Sequence, residues 1–462
     1  MTTNTRISIP FIIRGEVIDD PAVEFSPRDG ESFFTPNLDL DRLVWSRTEP
    51  LPMAEVPVAE IIEVLAATGE RMRDDTGGFL AAALESLSRT SPYERRILEN
   101  SYESLWQSFQ PDYLRATVDG ELGGSEAIDG WRRNEGVDGR GGYVRAYPTR
   151  LVHILAGNSP GVAAYTVVKG ALTKGVNLLK MPSNDLLTAT AVLRCLSAAA
   201  PEHPVTRSFS AAYWRGGDES VESVLFRPLF FDKLVAWGGE AAIRTAVQYI
   251  GPGFELIAFD PKNSISMIGR EVFDSEAMLL EAADLGARDA TSHNQEACTS
   301  SRFQFIEGSV DCVDRYCEML QVELGRERKS ASAVVPRPPV ELRDEVEAMR
   351  HMDPMFRVFG DADGRGLVVR SSEPVGFFPS NKTVNVVMVP ALSEAVRYVN
   401  GSTQTVGIYP PYRKVELRDR LASAGVQRIV NLGGGGGAGM IGLAHDGLFP
   451  MHRFVRWVND ED

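Results

Sequence analysis

The sequence predicts an α/β protein built on parallel sheets, and three observations predict it. Short apolar runs alternate with helical patterns from Gly141 to Ala200. Strand, helix, strand, helix in that order is a βαβ unit, whose strands run parallel. Small polar motifs follow the apolar runs directly, where open parallel sheets present ligand sites. With 462 residues the chain is too long for one core and has room for roughly three domains.

The elements follow in order. Prolines from Pro10 to Pro57 break the first part into loops and short strands. Helical patterns cover Ala59 to Arg73, Phe79 to Ser88 and Glu94 to Arg115. GGYVRAYPTRLVHILAG reads as extended chain ending in a buried strand, Leu151 to Ala156. Asn158-Ser159-Pro160 then reads as a helix start, with Ser159 as cap and Pro160 at the first helical position. This helix carries Val162, Tyr165, Val168 and Leu172 on one side and runs to about Lys174, where Gly175 ends it. Val176 to Met181 is the next strand, and Pro182-Ser183 opens a helix through Ala200.

Further strands are expected at Lys233 to Trp237, Phe254 to Phe259 and Ser264 to Ile268. A helix at Asp274 to Arg288 leads into a second half, with strands near Arg302 to Ile306, Gly366 to Val369 and Val384 to Val389. Another helix is expected at Leu392 to Asn400. GGGGGAG, Gly433 to Gly439, lacks the Lys-Ser/Thr ending of a phosphate-gripping loop and reads as a flexible linker. No internal repeat is visible.

Composition removes several function classes. The formal charge is −15, from 63 acids and 48 bases, which argues against nucleic acid or an anionic membrane as the main partner. A small anionic cofactor in a local pocket stays compatible with that charge. The first twenty residues lack the pattern of a signal peptide. The most apolar stretch, Val162 to Leu179, is interrupted by Lys169 and Lys174 and falls short of a membrane span. The four cysteines contain no CxxC pair and are too few for a disulfide framework, so a reducing cytoplasm is the expected setting and no metal site is expected.

Four places could carry chemistry. Cys298 lies in SHNQEACTSSRFQF, among amides, hydroxyls and charges. Small polar neighbours give a thiolate access, and its own backbone N–H can face a developing oxyanion. The alternative is a buried thiol serving as a small hydrophobe; Cys195, Cys312 and Cys317 have the helical settings of that alternative. Asn158, at a strand-to-helix junction, can donate to a transition-state oxygen or simply shape the turn. Lys180, at a strand end before Ser183, suits a ribose or phosphate, or is a solvated lysine. Gly238 and Gly239 let backbone approach a pyrophosphate between strand and helix, or form a plain turn.

Taken together, NSP, LLKMPSND, AWGG and NQEACTSSR in that order resemble the aldehyde dehydrogenase superfamily. The match is closer to one branch, the long-chain acyl reductases of bacterial bioluminescence operons, the LuxC family. IPFIIRGEV, GGYVRAYPTRLVHILAGNSPG, YWRGGD, SHNQEACTSSR, STQTVGIYP and HDGLFPMHRFVRWV carry that closer resemblance. It implies an aldehyde-dehydrogenase-like fold: a Rossmann-type nucleotide-binding domain (1–129 and 148–270), an α/β catalytic domain (271–440), and a β-arm used in oligomers (130–147, with a C-terminal strand near 450–458). It also implies Cys298 as acyl-accepting nucleophile and Asn158 as oxyanion partner. Lys180 and Ser183 would address the cofactor ribose or its phosphate, and Trp237, Gly238 and Gly239 the pyrophosphate.

The expected activity is NADPH-dependent reduction of an acyl-CoA or acyl-carrier thioester to aldehyde in a homodimer or higher oligomer, with an acyl-activating synthetase as partner. NADH stays open because Asp185 follows Lys180 and Ser183. One departure bears on mechanism. Hydrolytic aldehyde dehydrogenases carry a general-base Glu where Ala258 or Phe259 falls here, and activating water on an acyl enzyme needs a base. Glu296 and His293 are substitute acid/base groups near Cys298, and Glu373 is the nearest candidate for the nicotinamide ribose. Two other readings remain: an aldehyde dehydrogenase running toward acid, and a non-reducing acyl-binding subunit.

Overall fold

The apolar runs pair into two separate seven-stranded sheets in the computed structural model, which describes residues 7–26, 31–135, 141–436 and 441–461. Each sheet belongs to one of two units, Met1–Asp260 with Ile441–Asp462 and Pro261–Met440.

The first sheet holds β1 (Phe11–Ile13), β2 (Glu16–Ile18), β3 (Arg150–Ile154), β4 (Val176–Lys180), β5 (Phe209–Ala212), β6 (Lys233–Trp237) and β7 (Glu255–Phe259). Their order is β7-β6-β3-β4-β5-β1-β2. The five strands from β3 to β7 are parallel, while β1 pairs antiparallel with both β5 and β2. The chain steps outward from β3 through β4 to β5, then crosses back to lay β6 on the other side of β3. That reversal is a doubly wound, Rossmann-type switch point at the carboxyl ends of β3 and β6.

Three helices matter for this edge: α1 (Gly161–Leu172), α2 (Thr188–Ala199) and α3 (Glu240–Val247). The lysines in and just after α1, Lys169 and Lys174, are buried and paired. Lys169 meets Glu121, and Lys174 lies 2.7 Å from Asp129. Burying such charges is tolerable only with partners of this kind. No helix among the described residues is long and apolar enough to cross a membrane.

Several local expectations are corrected. Ser159 makes no side-chain cap, and Pro160 occupies the cap position itself, so α1 starts at Gly161. Lys174, at φ 56°, takes the left-handed turn after α1 that was expected of Gly175. Helix α2 starts at Thr188, well after Pro182-Ser183, because Asp185 accepts from both the Thr188 N–H (3.2 Å) and its hydroxyl (2.5 Å). The helical pattern from Glu94 to Arg115 is split, since Pro111 lacks the N–H to continue a helix and opens a new one, Pro111–Leu122.

The second sheet holds β8 (Asn263–Ile268), β9 (Ser301–Glu307), β10 (Arg357–Phe359), β11 (Leu367–Ser371), β12 (Thr383–Val389), β13 (Thr403–Tyr409) and β14 (Arg428–Asn431). Their order is β10-β11-β12-β9-β8-β13-β14, parallel except for β10. Strand β8 therefore pairs in the second unit, not in a first domain extending to residue 270. Helix α4 (Glu276–Thr291) leads from β8 to the segment before β9. The helix expected to reach Asn400 covers only Leu392–Ala395, followed by a single tight turn.

A third, three-stranded antiparallel sheet in the first unit joins Arg132–Glu135, Gly141–Tyr147 and Arg456–Glu461. Residues 136–140 of the expected arm lie outside the described residues. Pro450–Phe454 is helical, so the C-terminal strand begins at Arg456 and not near 450.

Candidate active site

The switch-point edge of the first unit gathers the residues expected to meet a dinucleotide. Asn158 is exposed in the turn between β3 and α1. Its turn is pinned from two sides: the Tyr93 hydroxyl donates to the Asn158 carbonyl (3.2 Å), and the Asn184 amide donates to the Gly157 carbonyl (3.0 Å). A Cβ at Gly157 would collide with Asn184, so only glycine permits this approach. Asn184 thus ties the two crossover turns together. Asp185 is buried, its carboxyl pushed up to about 6 by burial, and it is engaged by the Thr188 N–H and hydroxyl at the start of α2.

Lys180 ends β4 and opens onto a cavity of about 570 Å³, lined by Phe25, Ser26, Lys180, Ser183, Tyr213, Arg215 and Gly216. The Lys180 ammonium lies over the rings of Tyr213 (5.8 Å) and Trp214 (5.6 Å). Burial lowers its pKa to about 8, against the through-space pull of Glu222. Two cations, two serine hydroxyls and two aromatic walls, one of them the Tyr213 phenol, in one cavity suit an anion attached to a flat ring. Arg215, Ser26, Phe25 and Tyr213 were not singled out in the sequence. The signal available was YWRGGD, where an arginine follows the buried strand β5.

Gly238 and Gly239 follow β6 and open α3, with Gly239 at the cap position and free space where a side chain would stand. Trp237 is largely committed to packing. Its ring stacks on Phe259 (3.7 Å, 5°), and Tyr165 and His445 meet it edge-on. Its buried indole N–H has no partner among the described residues, an orphaned donor on the residue before the glycine pair. A dinucleotide fits these groups: cations and hydroxyls in the cavity, an open backbone at Gly239 and a spare donor at Trp237.

In the second unit, Cys298 is exposed in the turn between α4 and β9. His293, Asn294 and Gln295 precede it at φ 48°, 54° and 75°, a left-handed run of three non-glycine residues. Each costs on the order of 1 kcal/mol and persists only where surroundings enforce it. Here Asn294 accepts from the Ser332 N–H (2.8 Å), Gln295 donates to the Thr383 carbonyl (2.8 Å), and Ser300 donates to the Ser292 carbonyl (2.9 Å). Buried Arg302 grips the Gln295 and Pro379 carbonyls. The polar run around Cys298 is therefore a scaffold that holds the thiol outward. By contrast Cys195 and Cys317 are buried in helices, and burial pushes the Cys195 thiol up to about 12.

The glycine-rich segment is not a slack linker over its described part. Asp289 of α4 accepts from the Gly433 and Gly435 N–H groups (2.8 Å each), and Arg428 of β14 donates to the Gly434 and Gly435 carbonyls. Residues 437–439 of the stretch lie outside the described residues. A Cβ on Gly435 would come within 2.7 Å of Asp289 and 3.3 Å of the Thr299 carbonyl, so this loop packs against the cysteine turn. Arg428 also acts on Cys298 through space.

The family model for acyl-CoA reductase (LuxC) matches residues 53–457. The chain belongs to the LuxC family. It is 27% identical to the long-chain acyl-protein thioester reductase of Vibrio harveyi, over 98% of this chain and 93% of that one. It is 31% identical to the enzyme of that name from Aliivibrio fischeri, over 74% and 70%. An NADP-dependent glyceraldehyde-3-phosphate dehydrogenase from Bacillus halodurans superposes with a TM-score of 0.66, covering 92% and 91% of the two chains at 13% identity. The fold is that of the aldehyde dehydrogenases.

Within this LuxC chain the structure groups Lys180 with Ser183, and Trp237 with Gly238 and Gly239, in the first unit. Cys298 lies in the second unit, and Asn158 in the first. Glu296 is exposed, and burial holds the His293 pKa below its ordinary value. Glu373 is exposed and is engaged by Arg397 (3.0 Å) and the Tyr398 hydroxyl. Gly435→Ala is expected to destabilise the second unit by about 1–3 kcal/mol through overpacking. It should also slow alkylation of Cys298; thermal melting and intact mass after iodoacetamide treatment measure the two effects.

Proposed function

We propose that the chain reduces an acyl thioester to an aldehyde through a thioester on Cys298, with NADPH as reductant. The observation that carries this reading is the exposed Cys298 on a strained, fully braced turn in a LuxC-family chain. The Cys298 thiolate attacks the acyl carbon, forming a C–S bond and an oxyanion. The Cys298 backbone N–H and, by resemblance, the Asn158 amide stabilise that oxyanion. The carrier thiolate leaves with its electron pair and takes a proton from water. When bound, a reduced nicotinamide supplies the hydride that adds to the acyl carbon. The thiohemiacetal alkoxide on Cys298 then re-forms its carbonyl and expels the Cys298 thiolate, releasing aldehyde.

Activated water has no place in this sequence. Phe259, near the position expected for a general base, stacks on Trp237 instead. Lys180, Ser183 and Arg215 would hold the 2′-phosphate, and Gly238, Gly239 and the Trp237 N–H the pyrophosphate. The relatives are named for acyl-protein thioesters, so an acylated protein, such as a synthetase partner, is proposed as acyl donor alongside CoA. The three-stranded sheet of Arg132–Glu135, Gly141–Tyr147 and Arg456–Glu461 is proposed as the oligomer arm, and the cytoplasm as the setting.

Incubation with a long-chain acyl-CoA, without reductant, should add one acyl group to the protein by intact mass, mapping to Cys298. NADPH should then discharge it as aldehyde. No adduct, or an adduct that NADPH leaves untouched, would refute the reading.

A further inference from the structure

The side chain of Gln404 touches the reacting sulfur. We propose that Gln404 is a catalytic residue whose side-chain N–H stabilises the Cys298 thiolate, both as the attacking group and as the group expelled when the aldehyde forms. This rests on the reading of Cys298 as nucleophile. The Gln404 amide nitrogen lies 3.3 Å from Cys298 Sγ, and Gln404 is buried on β13.

The backbone is built to aim it there. Strand β8 pairs on both sides, and the register slips on both sides at the same place. Asn263 faces Thr403 but Ile265 faces Val406, so Gln404 and Thr405 together oppose Ser264. On the other side Ser264 faces Ser301 but Ile265 faces Phe303, leaving Arg302 as the extra residue. Bulges of this kind re-aim side chains beside functional sites. The Ser264 hydroxyl at the centre of both bulges donates to the Cys298 carbonyl (2.8 Å). One slip thus turns Gln404 onto the sulfur while Ser264 fixes the backbone that carries it. All these groups stand at the amino ends of the parallel strands β8, β9 and β13, the edge opposite to the one that ligands favour in open α/β sheets.

An amide N–H can only donate, so its bond strengthens as charge builds on sulfur and weakens when sulfur is acylated. It therefore favours the thiolate before attack and again at expulsion. A donor to a charged acceptor shifts such an equilibrium roughly tenfold or more. Lower basicity costs sulfur about half of that gain in nucleophilicity. The net expected effect on attack is roughly threefold to tenfold.

The test reads the sulfur directly. In Gln404→Leu, alkylation of Cys298 by iodoacetamide at pH 7.5, followed by intact mass, should slow by roughly threefold to tenfold. Alkylation of half-buried Cys312 should stay unchanged. Gln404→Glu keeps the side-chain shape and sets a carboxylate against the thiolate, so it should be slower still, and it decides the matter if the leucine variant does not fold. Wild-type alkylation rates in a folded Gln404→Leu, or a Gln404→Glu protein that alkylates as fast as wild type, would overturn the proposal. Acyl transfer need not occur for this test. Slowed alkylation in an enzyme that never forms an acyl adduct would leave Gln404 assigned and the proposed function refuted.

Discussion

Cys298→Ala is expected to lower acyl-thioester reduction by at least about four orders of magnitude, as removal of a covalent nucleophile does elsewhere. No other thiol in the chain is placed to take over. Cys195 is buried with its pKa pushed up to about 12, Cys317 is fully buried with its thiol pushed up in the same way, and Cys312 lies half-buried on a helix. The variant should still bind NADPH, because the proposed cofactor groups belong to the other unit, and it should form no acyl adduct. Nicotinamide absorbance with acyl-CoA, fluorescence titration with NADPH and intact mass give the three readouts. A variant that turns over normally would remove Cys298 from the chemistry. Normal turnover with a lost adduct would point to direct transfer of hydride to the carrier thioester.

The sequence exposes the residues that stand at strand ends and hides those that depend on register. Cys298, Asn158, Lys180 and Gly238-Gly239 were legible as candidates because the last three stand at or just past the ends of apolar strands, while Cys298 stands out as a thiol in a polar run. Gln404 was not. Its segment TQTVGIY reads as an ordinary strand, and only the paired slips against Ser264 turn the glutamine onto a sulfur 106 positions away. Arg215 was missed for a related reason. Its neighbours in the cavity, Ser26 and Lys180, come from distant parts of the chain. The glycine run was misread because composition alone favours slack chain, whereas Asp289, on a helix more than a hundred residues earlier, supplies the acceptor that organises it. Its own burial, which pushes that carboxyl up to about 6, is offset in part by the two glycine N–H groups. Asp185 was misread in the opposite direction. Its place after Lys180 and Ser183 suggested a ligand, but the buried carboxylate accepts from the Thr188 N–H and hydroxyl three residues on.

The second large effect is expected at the cofactor cavity, and pH should reveal it before any mutation does. The 2′-phosphate is the only difference between NADPH and NADH, so discrimination measures the charges that meet it. Lys180 carries its charge only while protonated, and burial lowers its pKa to about 8. At pH 7 it is mostly charged, and at pH 9.5 mostly neutral. NADPH affinity should therefore hold below about pH 8 and fall as pH rises through that value, while NADH affinity stays flat. At the acid side the phosphate itself loses its second charge near pH 6, so preference for NADPH should peak between the two. Binding pulls Lys180 back toward its charged form, so proton uptake should accompany NADPH binding above pH 8 and be absent with NADH.

Lys180→Met keeps the stem against Tyr213 and Trp214 but removes the charge. It should cost roughly tenfold to a hundredfold in NADPH affinity and flatten the alkaline fall. Arg215→Ala should cost a similar factor and leave that fall in place, because arginine does not titrate in this range. The two profiles together separate the cations: the same total loss with opposite pH behaviour. Titration of intrinsic fluorescence with NADPH and NADH from pH 6 to 9.5 is sufficient. An NADPH preference that persists unchanged to pH 9.5, with full affinity in Lys180→Met, would place the 2′-phosphate away from this cavity. The buried lysine would then need another reason to sit over two aromatic rings.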